Sequence, residues 1–174
     1  RLARLDRSAM VHFDRTVVGF WKSFFAAAII APAYLILVAT DLAERDSQAG
    51  LLRLFVVHLS AFSLGWAVYP VLVAHICQAI DRGNAYIGFI VAFNWIKVIQ
   101  MAVYLPVIAI DAAGILPSGL NALLHVSVYS LVLAYQWFVT RLALNVTSMA
   151  AAGFVALDLV IAIMIAGFAD GMTR

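Results

Sequence analysis

Charge is in short supply in this sequence: 11% of its 174 residues are Asp, Glu, Lys or Arg, against about 25% in soluble domains. With so little charge, a solvated globular surface is excluded. There is one cysteine, Cys77, so no intramolecular disulfide and no cysteine-cluster metal site can be built, and in its apolar run it reads as a small core residue. The sequence also has no Gly-rich phosphate loop, no Gly-x-Ser-x-Gly, no His-Glu-x-x-His and no paired catalytic carboxylates. A repeat of 20–50 residues is absent too, and neither His12 nor His75 has a Cys or acidic neighbour at a spacing that makes a convincing zinc site.

Apolar residues are plentiful. They make up 66% of the chain, with a mean hydropathy of +1.03, far above the roughly 45–50% of soluble domains. This composition implies an all-α, polytopic membrane bundle. Five spans can be drawn at about 17–40, 51–80, 85–110, 120–144 and 149–168, each long enough to cross a bilayer as a helix rising about 1.5 Å per residue. Residues 17–174 then form one transmembrane domain, and 1–16 a basic cytoplasmic or interfacial segment. In that segment Leu2, Leu5, Ala9 and Phe13 recur at helical spacing beside Arg1, Arg4, Arg7 and Arg15, and no apolar h-region of a signal peptide is present. Pro32 and Pro70 are expected to kink the first and second spans.

Lys97 is the residue the other spans have to accommodate. It is the only full charge between Tyr86 and Ile110, and an ammonium near the bilayer centre costs on the order of 2.5–3.5 kcal/mol on insertion scales. Asp158, in the last span, lies at a similar height above the same membrane face, so pairing is the simplest way to relieve both charges. Arg141 competes for Asp158 but stands nearer the interface, where it can snorkel. Asn94, Lys97, Met101 and Tyr104 share one stripe of the third helix, with Gln100 at its border. That stripe is either a polar pathway or a satisfied internal network that fixes packing, and the network reading is preferred because few acidic or hydroxyl groups stand in line. His58 and His125 have matched depths on the second and fourth spans, as bis-imidazole ligation of haem b requires, although each can equally be satisfied by a neighbouring polar group. An enzymatic alternative would pair Ser63 or Ser130 with Lys97, without a local signature to support it.

The layout resembles Yip1-like membrane proteins: a polar N-terminal segment, five closely spaced spans and a C-terminus just beyond the last. Gly19-Phe20-Trp21-Lys22-Ser23-Phe24 is similar to the aromatic-Ser start of the first span in bacterial members. The Asp-Leu-x-Gly-Pro and Gly-x-x-Leu-Tyr-Gly-Tyr signatures of eukaryotic members are absent. The resemblance implies a non-enzymatic membrane protein acting through partners or lipids, and carries over no functional residue.

Three functional readings follow. The first is a non-enzymatic protein of the bacterial inner membrane that binds or organises other membrane components, possessing no cofactor and working with lipids and with a membrane-protein partner or a second copy of itself; it includes the role of accessory subunit in a larger complex. The second is a small transporter or ion- or proton-conducting subunit using Lys97 and Asp158. The third is the haem-bearing electron carrier. No nucleic-acid partner is expected. Orientation follows from Lys and Arg near the span ends: Arg1, Arg4, Arg7, Arg15, Lys22, Arg82 and Arg141 on one side, against Arg45, Arg53 and Arg174 on the other. The richer side is read as cytoplasmic, giving N-in, C-out. A C-terminal reporter is therefore expected to be active outside the cytoplasm, and cytoplasmic activity alone would overturn this orientation.

Overall fold

In the computed structural model, residues 16–44 and 50–173 are described, and every element among them is an α-helix. The expected interfacial helix of the leader, His12, and the loop and terminal arginines Arg45 and Arg174 lie outside the described residues. The elements are α1 (Val17–Ser23), α2 (Phe25–Glu44), α3 (Leu51–Ala79), α4 (Gly83–Ala112), α5 (Ser118–Leu144) and α6 (Ser148–Thr173). With α1 and α2 together making the first, five spans are long and apolar enough to cross a membrane, and the chain is an integral membrane protein on that ground.

The first and last spans depart most from the sequence expectation. Pro32 lies inside α2, and an interruption not expected from the sequence falls earlier, at Phe24. Here the buried Ser23 hydroxyl donates to the Phe20 carbonyl at 2.6 Å, Phe24 N–H bonds the Trp21 carbonyl, and Ala27 N–H bonds that of Phe24. Such three-residue hydrogen bonds tighten the turn, and a serine hydroxyl competing for a backbone carbonyl is a recognised cause. The last helix continues to Thr173 rather than stopping near Phe168, since its final turn is closed by the Thr173 hydroxyl donating to the carbonyls of Ala169 and Asp170.

Short connections make successive spans antiparallel. Asp81, between α3 and α4, and Asn145, between α5 and α6, both have positive φ, 56° and 49°. Asp and Asn tolerate that left-handed conformation better than most side chains. Beyond Asn145, the Thr147 hydroxyl accepts from Ala150 N–H and caps α6.

The bundle is arranged around α4, which packs on α1, α2, α3 and α5, while α6 closes against α3 and α5. Half of its most apolar window is buried, against 11–22% for the other spans. Lipid contact suits those other helices because their apolar residues surround them on all sides. The main core joins Tyr69, Val73 and Cys77 of α3 to Phe89, Ile90 and Phe93 of α4, Leu144 of α5, and Phe154 and Ile161 of α6. Tyr69 stacks on Phe93 with ring centroids 4.4 Å apart and donates its hydroxyl to the Phe154 carbonyl at 3.3 Å. One side chain thus ties three helices together. Tyr69→Ala is expected to cost about 3–5 kcal/mol, as aromatic truncations in cores do, and Tyr69→Phe about 1 kcal/mol for the lost hydrogen bond. Thermal unfolding in detergent measures both, and equal losses would refute this division between packing and hydrogen bonding.

Candidate functional site

Lys97 lies midway along α4, and its ammonium is 2.7 Å from Asp158 Oδ2 on α6. It also stands 4.7 Å above the Phe93 ring, a cation–π contact that strengthens as water is removed. The same carboxylate oxygen accepts from Gln136 Nε2 of α5 at 2.8 Å. Gln136 in turn meets Gln100 of α4, whose amide donates to Gln136 Oε1 at 3.3 Å and, more weakly, to the Val132 carbonyl at 3.4 Å. The ammonium, carboxylate and two amides therefore form one continuous chain across three helices. A charge pair inside an apolar bundle is tolerated when such additional hydrogen bonds fill the remaining valences.

The other residues of the stripe are placed separately. Asn94, 1% exposed, donates to Ser23 Oγ of α1 at 2.9 Å, so the irregular turn at Phe24 sits where α1 meets the central helix. Its Oδ1 is buried with no hydrogen-bond partner among the described residues. Tyr104 bonds His125 of α5. Arg141 is outside the network: it is exposed and lies 5.7 Å over the Trp137 ring, so it is not the partner of Asp158. Its long side chain reaches the interface at the end of α5, which removes the need for a buried counter-charge. Gln136 holds the place considered for Arg141. An amide in the apolar middle of a span, at Asp158's height, was the available signal for it, and weighing formal charges alone passes over it.

Neither serine considered for hydrolysis is paired with Lys97 among the described residues. Ser63 is exposed and donates to its own helix at Leu59 O, Ser130 is exposed, and Lys97 is taken by Asp158. His58 and His125 sit in different surroundings on helices without a substantial mutual interface. His58 Nε2 and His125 Nε2 are both buried without a hydrogen-bond partner among the described residues, while His125 Nδ1 is 3.0 Å from the Tyr104 hydroxyl.

The polar face of α4 is not sealed by packing. Asn94, Lys97, Gln100, Met101 and Tyr104 all line a cavity of about 1140 Å³, whose other walls come from α2, α3, α5 and α6. That volume is at or above the roughly 300–1,000 Å³ of small-molecule sites. The lining begins at Phe93 and Asn94, near mid-bundle, and continues to Asp170 and Thr173 in the last turn of α6, so the cavity extends toward the face where the chain ends. Most of the wall is apolar or aromatic. On the α2–α3 side the walls meet through side chains: the Tyr34 ring is 4.9 Å from Phe62, its hydroxyl donates to the His58 carbonyl at 3.3 Å, and Trp66 continues the row. α2 itself rests mainly on α4.

Comparisons with protein families, curated proteins and solved structures find no match to this chain.

Removing one partner of a fully buried ion pair costs about 3–5 kcal/mol, while replacing both is often nearly neutral. The Lys97 side chain is 30% exposed to the cavity and that of Asp158 15%, which puts the cost here at or below the lower end. Asp158→Asn is expected to lower thermal stability in detergent more than the double variant with Lys97→Met. Simple additivity of the two single losses would mean that the pair is not coupled.

Proposed function

We propose that this chain is a non-enzymatic integral membrane protein that binds another membrane component, a lipid-like amphiphile, in the cavity between α2, α3, α4 and α6. One observation carries the reading: the polar stripe of the central helix lines an open volume instead of being packed away. A floor of polar groups under apolar walls suits a molecule with a compact polar head and an apolar tail. The floor combines one ammonium with one carboxylate, so a head without net charge fits it best. An ionised head would be held there without a counter-charge of its own, at a high desolvation cost. The seam between α2 and α3 is closed by side chains, Tyr34, Phe62 and Trp66, and their rotation would give the tail a route toward the surrounding lipid.

The Lys/Arg distribution supports an N-in, C-out orientation in the bacterial inner membrane, with the cavity facing outward. The Yip1-like layout agrees with a protein that works through lipids or partners, and organising a membrane-protein partner or a second copy of itself extends the same role. A second reading, as a small transporter or ion- or proton-conducting subunit, is favoured by the position of Lys97 and Asp158 in the cavity wall, where a passing solute reaches both.

Gly65 gives a direct test. It lines the cavity, and a Cβ placed on it meets nothing within 4 Å, so Gly65→Phe is expected to fill space with little strain. Protein purified in mild detergent should retain a stoichiometric lipid by mass spectrometry, and the Gly65→Phe variant should lose it while keeping its thermal stability. Equal lipid retention by both proteins would sink the reading. Solute uptake by proteoliposomes that is abolished by Gly65→Phe, without a retained lipid, would favour transport instead.

A further inference from the structure

The end of the α4–α5 hairpin holds polar groups that lipid binding does not use. Asp111, in the last turn of α4, accepts at Oδ1 from Asn121 Nδ2 in the first turn of α5. Its other oxygen, Oδ2, lies 3.4 Å from His125 Nε2. That separation is within ion-pair range but lacks hydrogen-bond geometry. The opposite ring nitrogen, Nδ1, is 3.0 Å from the Tyr104 hydroxyl. The Asp111 side chain is 50% exposed, and Tyr104 lines the cavity. From outside inward the order is solvent, carboxylate, imidazole, phenol, cavity.

We infer that Asp111, His125 and Tyr104 form a proton-binding site that switches what Tyr104 offers to the cavity. In a neutral imidazole one nitrogen donates and the other accepts. The carboxylate beside Nε2 favours the tautomer with its hydrogen there, which leaves Nδ1 as acceptor. The Tyr104 hydrogen is then committed to Nδ1, and only its oxygen lone pairs remain for the cavity. Uptake of one proton at Nδ1 places hydrogen on both ring nitrogens. Nδ1–H now donates to the Tyr104 oxygen, and the phenolic hydrogen turns away from the ring toward the cavity. The imidazolium stands against the Asp111 carboxylate. The only covalent change is the new N–H bond. In the proton-loaded state alone, Tyr104 donates to a carbonyl, ether or phosphoryl oxygen bound beside it.

The groups around His125 can be named element by element. α4 contributes Asp111 and Tyr104. Counting about eleven residues outward from the Gln136–Asp158 contact along the antiparallel α5 and α6 brings the height of His125 to that of Asp170, which lines the same cavity. Tyr129 is about one turn further along α5. Asp158 is held deeper by Lys97 and Gln136.

Nuclear magnetic resonance of the full chain in detergent tests the switch without any cavity ligand, so it succeeds or fails separately from lipid binding. The His125 ring nitrogens and Tyr104 Cζ are isotopically labelled, and their signals assigned by their loss in His125→Gln and Tyr104→Phe. As the pH is lowered, His125 is expected to pass from the Nε2–H tautomer to the doubly protonated ring. The Tyr104 Cζ signal should move with the same midpoint, and Asp111→Asn should weaken the tautomer preference. A neutral ring with its hydrogen on Nδ1, an imidazole that does not titrate, or a Tyr104 signal that stays constant while His125 titrates would each overturn the inference.

Discussion

An ammonium in the middle of the central helix is the constraint to which the bundle answers. Lys97 cannot snorkel from the middle of α4, some twenty ångströms from either end at about 1.5 Å per residue, so its charge must be met inside the bundle. Asp158 supplies the counter-charge, Gln136 and Gln100 extend the hydrogen bonding, and the Phe93 ring covers one side. These contacts require α4, α5 and α6 to meet at one height. Phe93 carries the constraint onward, because the ring beneath the ammonium also stacks on Tyr69 and so brings in α3.

The two halves of the molecule use that arrangement differently. Toward the face where the first span begins, Phe89, Phe93, Phe154 and Tyr69 fill the space between α3, α4 and α6. Beyond the ion pair the helices enclose a volume instead. Small side chains on α3 and α6, among them Ala61, Gly65, Ala162 and Ala166, leave the space that aromatic residues occupy in the other half. The polar groups of α4 thus form the boundary between a packed half and an open half. A wholly structural ion pair has no need of such an opening, and for this reason the cavity, more than the pair itself, bears on function.

Polar groups elsewhere follow a related economy of position. Asn94 uses the hydroxyl of a slightly irregular turn in the first span, and the irregularity itself comes from that serine bonding its own backbone. Tyr104, a residue of the same stripe, is turned toward α5 and joins the cavity wall to a carboxylate at the surface through one imidazole. A single face of one helix therefore addresses α1, α6 and α5 in turn as it rises, through an amide, an ammonium, and then an amide and a phenol.

Hydropathy and chain length were enough to determine the membrane environment, the five spans and the approximate height of each polar residue, because helical rise converts sequence position directly into depth. Depth matching was sufficient for Lys97 and Asp158, where two opposite charges share a level and have few other ways to be satisfied. It failed where several candidates stood at workable depths. Gln136 rather than Arg141 completes the carboxylate's bonding, and depth alone did not say that His125 would meet Tyr104 and Asp111. The cavity was likewise decided only by tertiary structure. Direction around a helix axis, unlike height along it, depends on which neighbours pack against which face, and in a chain apolar on nearly all sides the pattern of residues leaves that choice open.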